Sequence, residues 1–413
     1  MRGRAGLRSN RNFLYLLGGR AFSEFGDYFG EFAISWLVYT ATGSVFSLGV
    51  TWLFFLIPRS AVRLWGGVYV DRYDKRRLMI FTETTRGILF GLLAVAVVYG
   101  LASAPLVYVV SFAVGLIGAV FDIASQAVLP LLVEPASLFA ANSYFTGTFQ
   151  LDSVAGPAAA GVAIYTLGVA ASLSIDGASF FFLVVALLLI RIPGVARPLE
   201  RAGSWTREFR QGWAYFKSRT ELVWLGLLVG GVNFGLGGFW YVYSLIFARD
   251  VLNSGSAGYG ALNAFSAAGI FAVSAYLGRK GLAKRRRSVV FSMFAMGTLI
   301  SLTSFTRTLP EALLAIIAFG ASIPLISIVQ NTYYQRTVPQ ALTGRIFGLQ
   351  QFFDYVTVPA GIVFAIYAAE SFGVTTGILI SGLVIIAFGL ASLMARSLAR
   401  LDAEPSGTTS PSQ

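Results

Sequence analysis

GGVYVDRYDKRRLMI, residues 66–80, sets two glycines and six charges between two long apolar runs, and its reading decides the fold. The flanking stretches near 45–70 and 78–100 are each long enough to cross a hydrocarbon core, which takes about 20 residues. Six charges in so short a connection belong in water. Its four basic residues, Arg72, Lys75, Arg76 and Arg77, favour the cytoplasmic side.

The pattern repeats on both sides of this loop. Apolar runs lie near 13–40, 45–70, 78–100, 105–129, 141–167 and 170–190, and again near 222–248, 257–278, 288–306, 310–335, 346–368 and 371–395. With the N-terminus inside, 25 Lys and Arg fall on cytoplasmic segments and only Arg249 and Arg307 on outer loops. The expectation is an all-α membrane protein of twelve transmembrane helices in two six-helix bundles, both termini cytoplasmic, in the cell membrane. The bundles span 1–190 and 222–395, joined by a basic linker (191–221) and followed by a disordered tail (396–413). The linker sequence WTREFRQGWAYFKSRTEL is amphipathic and suits a helix on the membrane surface facing anionic lipid. No cleavage site follows the basic N-terminus, so the first helix is expected to stay as an anchor.

Composition agrees. The 413 residues are 56% hydrophobic and 12% charged, against about 25% charged in soluble proteins, and the mean hydropathy is +0.71. There is no cysteine and no histidine, which excludes thiolate chemistry and the commonest metal ligands. No metal site and no cofactor is called for. Lacking a nucleophile–base constellation, the chain is not read as an enzyme. The net charge of +12 lies on short loops, a placement that fits membrane topology and not nucleic acid.

Gly67, Asp71, Arg72, Lys75 and Arg76 match the signature G-x-x-x-D-R-x-x-R-R/K between the second and third helices of the major facilitator superfamily, which this chain resembles over nearly its whole length. Asp74 stands where a glycine is common. Within that superfamily the chain is similar to drug:proton antiporters of the macrolide-efflux and enterobactin-exporter type, as NRNFLYLLGGRAFSEFGDYF (10–29), AVFDIASQAVLPLLV (119–133) and VPQALTGRIFGL (338–349) also indicate. The resemblance implies that the loop is a conformational latch. In the fifth helix, SVAGPAAAG (153–161) supplies Gly156, Pro157 and Gly161 of the exporters' glycine-rich motif, with Ala160 in place of one glycine. The motif favours export.

Charge inside the apolar runs carries the chemistry. A charge at the bilayer centre costs on the order of 2.5–3.5 kcal/mol, yet Glu24, Asp27, Glu31, Glu83, Asp122, Asp152, Asp176 and Asp354 all fall there. Seven of the eight lie in the first half, so the first bundle is read as handling protons and the second as shaping the cavity. Counting depth from the outer face pairs Asp27 with Arg59 and Glu24 with Arg63; counting from the cytoplasmic face pairs Arg86 with Asp122. Glu31 and Asp152 have no arginine at their level. An unpaired carboxylate among apolar groups can carry a proton, so Asp27, Glu31 and Asp152 are the candidates for proton coupling. Asp176, near the outer end of its run, is expected to reach water. Tyr28, Phe145, Phe149 and Phe234, with Gln150, Asn233, Gln330, Asn331 and Gln350, offer a greasy cavity with neutral polar groups.

These readings converge on a monomeric secondary transporter that exports small amphipathic molecules in exchange for protons by alternating access. The same fold also accommodates export of a siderophore-like metabolite or a lysolipid, or a non-transporting receptor.

Overall fold

The computed structural model describes residues 7, 9–70, 73–134, 137–191, 205–280, 285–339 and 342–402. Those residues are helical with short connections. In chain order the helices are α1 (Arg11–Thr42), α2 (Val45–Val70), α3 (Lys75–Val98), α4 (Ala104–Leu132), α5 (Leu138–Leu167) and α6 (Val169–Leu189). Then come α7 (Trp205–Ser218), α8 (Thr220–Gly238), α9 (Gly255–Lys280), α10 (Arg285–Thr303), α11 (Leu309–Ser322), α12 (Pro324–Thr337), α13 (Thr343–Phe372) and α14 (Val374–Met394).

Among the described residues nine helices are long and apolar enough to cross a membrane: Val45–Val62, Lys75–Val98, Ala104–Leu132, Val169–Leu189, Thr220–Val251, Gly255–Lys280, Leu309–Thr337, Leu349–Phe372 and Val374–Met394. α1, α5 and α10 alternate with these in sequence. α1 misses because it carries Arg11, Arg20, Glu24, Asp27 and Glu31, and α10 because it opens on three arginines.

Local chemistry sets the boundaries. The Asn10 side chain accepts a hydrogen bond from Phe13 N (3.1 Å) at the start of α1, and Asp74 does the same for Arg77 N (2.8 Å) at the start of α3. Asp74, the departure from the signature, is thus an N-cap. Gly168 (φ 88°) separates α5 from α6, and Gly373 (φ 84°) separates α13 from α14. Both turns take a left-handed backbone that glycine adopts without strain. Thr308 and Glu311 form a capping box on α11.

The chain divides into two compact units, residues 1–198 with 244–264, and residues 199–243 with 265–413. In the first, α1 packs on α5 and α6, α2 on α4, and α3 on α4 and α6. In the second, α8 packs on α13 and α14, and α10 on α11 and α14. Glycines set the closest approaches in a repeated way: a Cβ at Gly115 of α4 would collide with Phe55 O of α2, and one at Gly320 of α11 with Ser266 O of α9. Small residues at such crossings bring helix backbones together where lipid gives no hydrophobic drive.

α8 continues through π-helical turns at Phe239–Tyr243 and Phe247–Val251, and the boundary between the units falls between them. In the linker, α7 forms as its amphipathic sequence suggests. Its Phe216 is buried and stacks on Phe353 of α13 (ring centroids 5.3 Å), as Trp213 does (6.2 Å). At Trp213 and Phe216 its apolar face therefore meets protein. Arg396–Leu401, placed in the tail by sequence, is a 3-10 helix with Leu398 and Leu401 buried. Alternating apolar and basic residues read as polar tail until a partner surface is known.

Candidate functional site

The first unit buries a cluster of carboxylates around one guanidinium. Arg86 of α3, 6% exposed, bonds Asp27 of α1 (2.6 Å) and Glu83 one turn earlier (3.1 Å), and lies 4.0 Å over the ring of Phe180. Glu83 and Asp176 are both 0% exposed. Ser23 Oγ donates to Glu83 (3.3 Å) and Ser179 Oγ sits 3.5 Å from Asp176 Oδ1, while Asp176 Oδ2 has no hydrogen-bond partner among the described residues. Gly30 makes room: a Cβ there would strike the Asp176 carboxylate. Asp27, Glu31, Arg86 and Asp176 face one cavity of about 20 Å³, with Thr51 and Ser111. That volume holds about one water molecule. Glu31 makes no ion pair among the described residues. Four acids thus stand near Arg86, with Arg59, itself bonded to Asp122, the second cation in range of Asp27 and Glu31, and a buried site cannot keep them all charged cheaply.

The expected pairings differ in detail. Arg59 bonds Asp122 (2.9 Å) and not Asp27; Arg86 bonds Asp27 and not Asp122. Glu24 bonds Arg20 one turn before it (2.5 Å), whereas the Arg63 side chain lies outside the described residues. Depth counting finds the level of a residue but not its direction around the helix, so arginines at neighbouring levels exchanged partners. Asp176 does not reach water. Glu83 and Asp176 are the functional candidates that sequence reasoning left without a role; their mark was an acid inside an apolar run.

A second cavity in this unit, about 470 Å³, lies among α1, α4 and α5. Arg20, Glu24, Gln126, Asn142 and Thr146 give it polar groups, and Phe145 and Phe149 give it aromatic walls. Arg20 spans the two characters, bonding Ser125 Oγ (3.0 Å) and lying 5.3 Å over Phe145. Tyr28 and Gln150 line neither cavity. Asp152 does not line the cavity at Arg86, and its Oδ2 is buried with no hydrogen-bond partner among the described residues.

The glycine motif of α5 meets the start of α9 inside the same unit. A Cβ at Gly161 would lie 2.5 Å from Ser256 O and 2.9 Å from Gly260 Cα, and Ser256 Oγ donates to Gly161 O (3.0 Å). One at Gly156 would strike the Tyr28 ring. Pro157 presents its carbonyl to Gly260. Beside this contact Tyr39 hydrogen-bonds Asp250, Phe32 stacks on Tyr259 (4.2 Å), and Arg249 lies over Tyr39 (5.1 Å). None of these partners was legible from the sequence, because they lie some two hundred residues from the first helix.

Of the latch residues, Asp71 and Arg72 lie outside the described residues, as do the surroundings of Gly67. Lys75 opens α3. Arg76 donates to Leu187 O (2.8 Å) and Leu188 O (2.6 Å), closing the C-terminal end of α6 with a charge that suits it. In the second unit, Asn233, Gln330, Asn331 and Gln350 gather around Asp354, and Phe234 packs on Phe364 (5.4 Å).

Residues 16–362 match the family model described as Major Facilitator Superfamily. Macrolide efflux protein A of Streptococcus pyogenes is 26% identical over 404 residues, 94% of this chain and 97% of that protein. Multidrug efflux pump Tap of Mycolicibacterium fortuitum is 24% identical over 386 residues, 90% of this chain and 92% of the relative. Among solved structures, a bacterial homolog of the human lysosomal transporter Spinster, inward-facing and unoccupied, superposes with a TM-score of 0.73 at 13% identity, over 95% of this chain and 99% of that one. The buried charge, the helical repeat and the family match agree: this chain is a multi-pass membrane transporter of the major facilitator superfamily.

Proposed function

We propose that the protein exports small amphipathic compounds across the cell membrane by proton antiport with alternating access, as a monomer with twelve spanning helices and both termini cytoplasmic. The observation that carries this reading is the excess of carboxylate over arginine around Arg86, with Glu31 facing the one-water cavity and bound to no cation among the described residues. Asp27 shares its arginine with Glu83, so a proton competes with Arg86 for it. Release of protons from Glu31 and Asp27 on one side of the membrane, and uptake on the other, gives two states with different substrate affinity, which coupling requires. Asp152, on α5 among the larger cavity's helices, is the third candidate. The efflux names of the similar proteins support a drug-like cargo and outward transport.

The test uses the full chain reconstituted in vesicles with a pH dye inside. Hydrophobic cations, macrolides, siderophore-like chelates and lysolipids are added in turn, and the compounds that move protons define the cargo. Glu31→Gln and Asp27→Asn are expected to abolish substrate-driven proton flux while leaving substrate binding measurable. Full flux in both variants sinks the assignment, and movement of no compound at all favours a receptor.

A further inference from the structure

Asp354 of α13 lies within a candidate membrane span, and its surroundings are unlike those of the first-half cluster. Gln330 Nε2 donates to Asp354 Oδ1 (3.1 Å), and Gln350 Nε2 lies 3.5 Å from Oδ2 while donating to Asn331 Oδ1 (3.1 Å). Asn233 Nδ2 donates to the main-chain oxygen of Asp354 (2.5 Å), which ties α8 to α13 at this level. Among the described residues no lysine or arginine forms an ion pair with Asp354. Carboxamides orient a carboxylate but bring no positive charge to balance it, so the site lacks a countercharge among the described residues. Gln350 is 4% exposed, and its Oε1 is buried with no hydrogen-bond partner among the described residues. Turning that amide over would set its oxygen towards the Asp354 carboxylate, so the present orientation is the favoured one. Asp354 itself keeps part of its surface open. The site therefore offers a carboxyl group that a ligand can reach and a buried acceptor on the neighbouring amide.

We propose that Asp354, with Gln350 Oε1, binds the protonated amine of a transported compound. An alkylammonium brings one positive charge and directional N–H donors, matching one carboxylate and the unused acceptor beside it. A metal ion fits less well: it asks for a shell of oxygens, whereas the amide groups of Gln330 and Gln350 present nitrogen to the carboxylate. The inference rests on the export reading for its biological meaning, and assigns Asp354 as the residue that selects basic cargo.

The test is binding to the purified full-length protein of two probes of like shape, 1-naphthylmethylamine and the neutral 1-naphthylmethanol, by calorimetry at neutral pH. Asp354→Asn is expected to weaken the amine at least about tenfold and the alcohol by less than about twofold, with Gln350→Met giving a smaller loss of the same selectivity. Asp354→Glu, which keeps the charge, recovers amine binding and guards against a folding defect in the Asn variant. Unchanged amine affinity in Asp354→Asn overturns the proposal. An equal loss of both probes also overturns it, since that marks a packing role. Competition of the amine by sodium but not potassium gives the site to a metal ion. Loss of proton release with intact amine binding makes Asp354 a proton carrier. Glu31→Gln separates this proposal from the export reading: it is expected to lose proton flux and keep amine binding at Asp354.

Discussion

Arg86 and Glu31 sit against the same small cavity, and the proposed mechanism gives them opposite roles. Arg86 is held by Asp27, Glu83 and the Phe180 ring, and Glu83 has no exposure to water. Removing one partner of a buried pair leaves a bare charge, at a cost of about 3–5 kcal/mol. Arg86→Met is therefore expected to lower the thermal midpoint sharply and cut the yield of folded protein, read by fluorescence-detected gel filtration. Glu31→Gln removes no ion pair among the described residues, so it is expected to leave that midpoint nearly unchanged while stopping proton flux. The two substitutions separate support from coupling. The sequence showed that acids and arginines lay inside apolar runs, and it showed their depth. It could not show azimuth, so Arg59 and Arg86 were matched to each other's partners. Asp176 was hidden for a related reason: its place near a helix end suggested water, but α1 and α3 close over it.

At the level of elements, the charged loop after α2 was the clearest signal in the chain, yet its best-defined contact was not in view. Arg76 binds main-chain carbonyls 111 and 112 residues away, and backbone atoms leave no trace in side-chain patterns. Replacing Arg76 by Gln is expected to destabilise the first unit by about 1–2 kcal/mol, a charge-assisted bond to a helix end. Hydrogen exchange at the C-terminal turn of α6 checks it, by faster exchange at Ile190 and Arg191. The glycine motif of α5 was legible as a close-packing surface, though its partner was not. Because Gly161 faces main-chain atoms of Ser256 and Gly260, which cannot rotate aside, Gly161→Val is expected to cost about 1–3 kcal/mol or more. The check is the thermal midpoint, with Gly147→Val, at an open site, as the control that should move little. In the linker, Trp213→Ala is expected to speed exchange through Trp205–Ser218 by freeing a ring stacked on Phe353.

At the scale of the molecule, the sequence repeat is matched by a repeat in packing. Gly168 and Gly373 end equivalent helices in the same backbone conformation, and Gly115 and Gly320 make equivalent collisions with a carbonyl. Residues 244–264, from the second half of the sequence, fall in the first compact unit. Synthesis order follows from this. The first six helices can enter the membrane as soon as they are made, but Gly161 and Tyr39 wait for Gly260 and Asp250. At about 5–20 residues per second, several seconds separate the last residue of α6 from those partners. During that interval the small-residue face of α5 lies open to lipid, to a neighbouring nascent chain, or to an insertion chaperone. Gly161 is therefore a point of exposure in the newborn protein, closed only when translation has passed its partners Ser256 and Gly260.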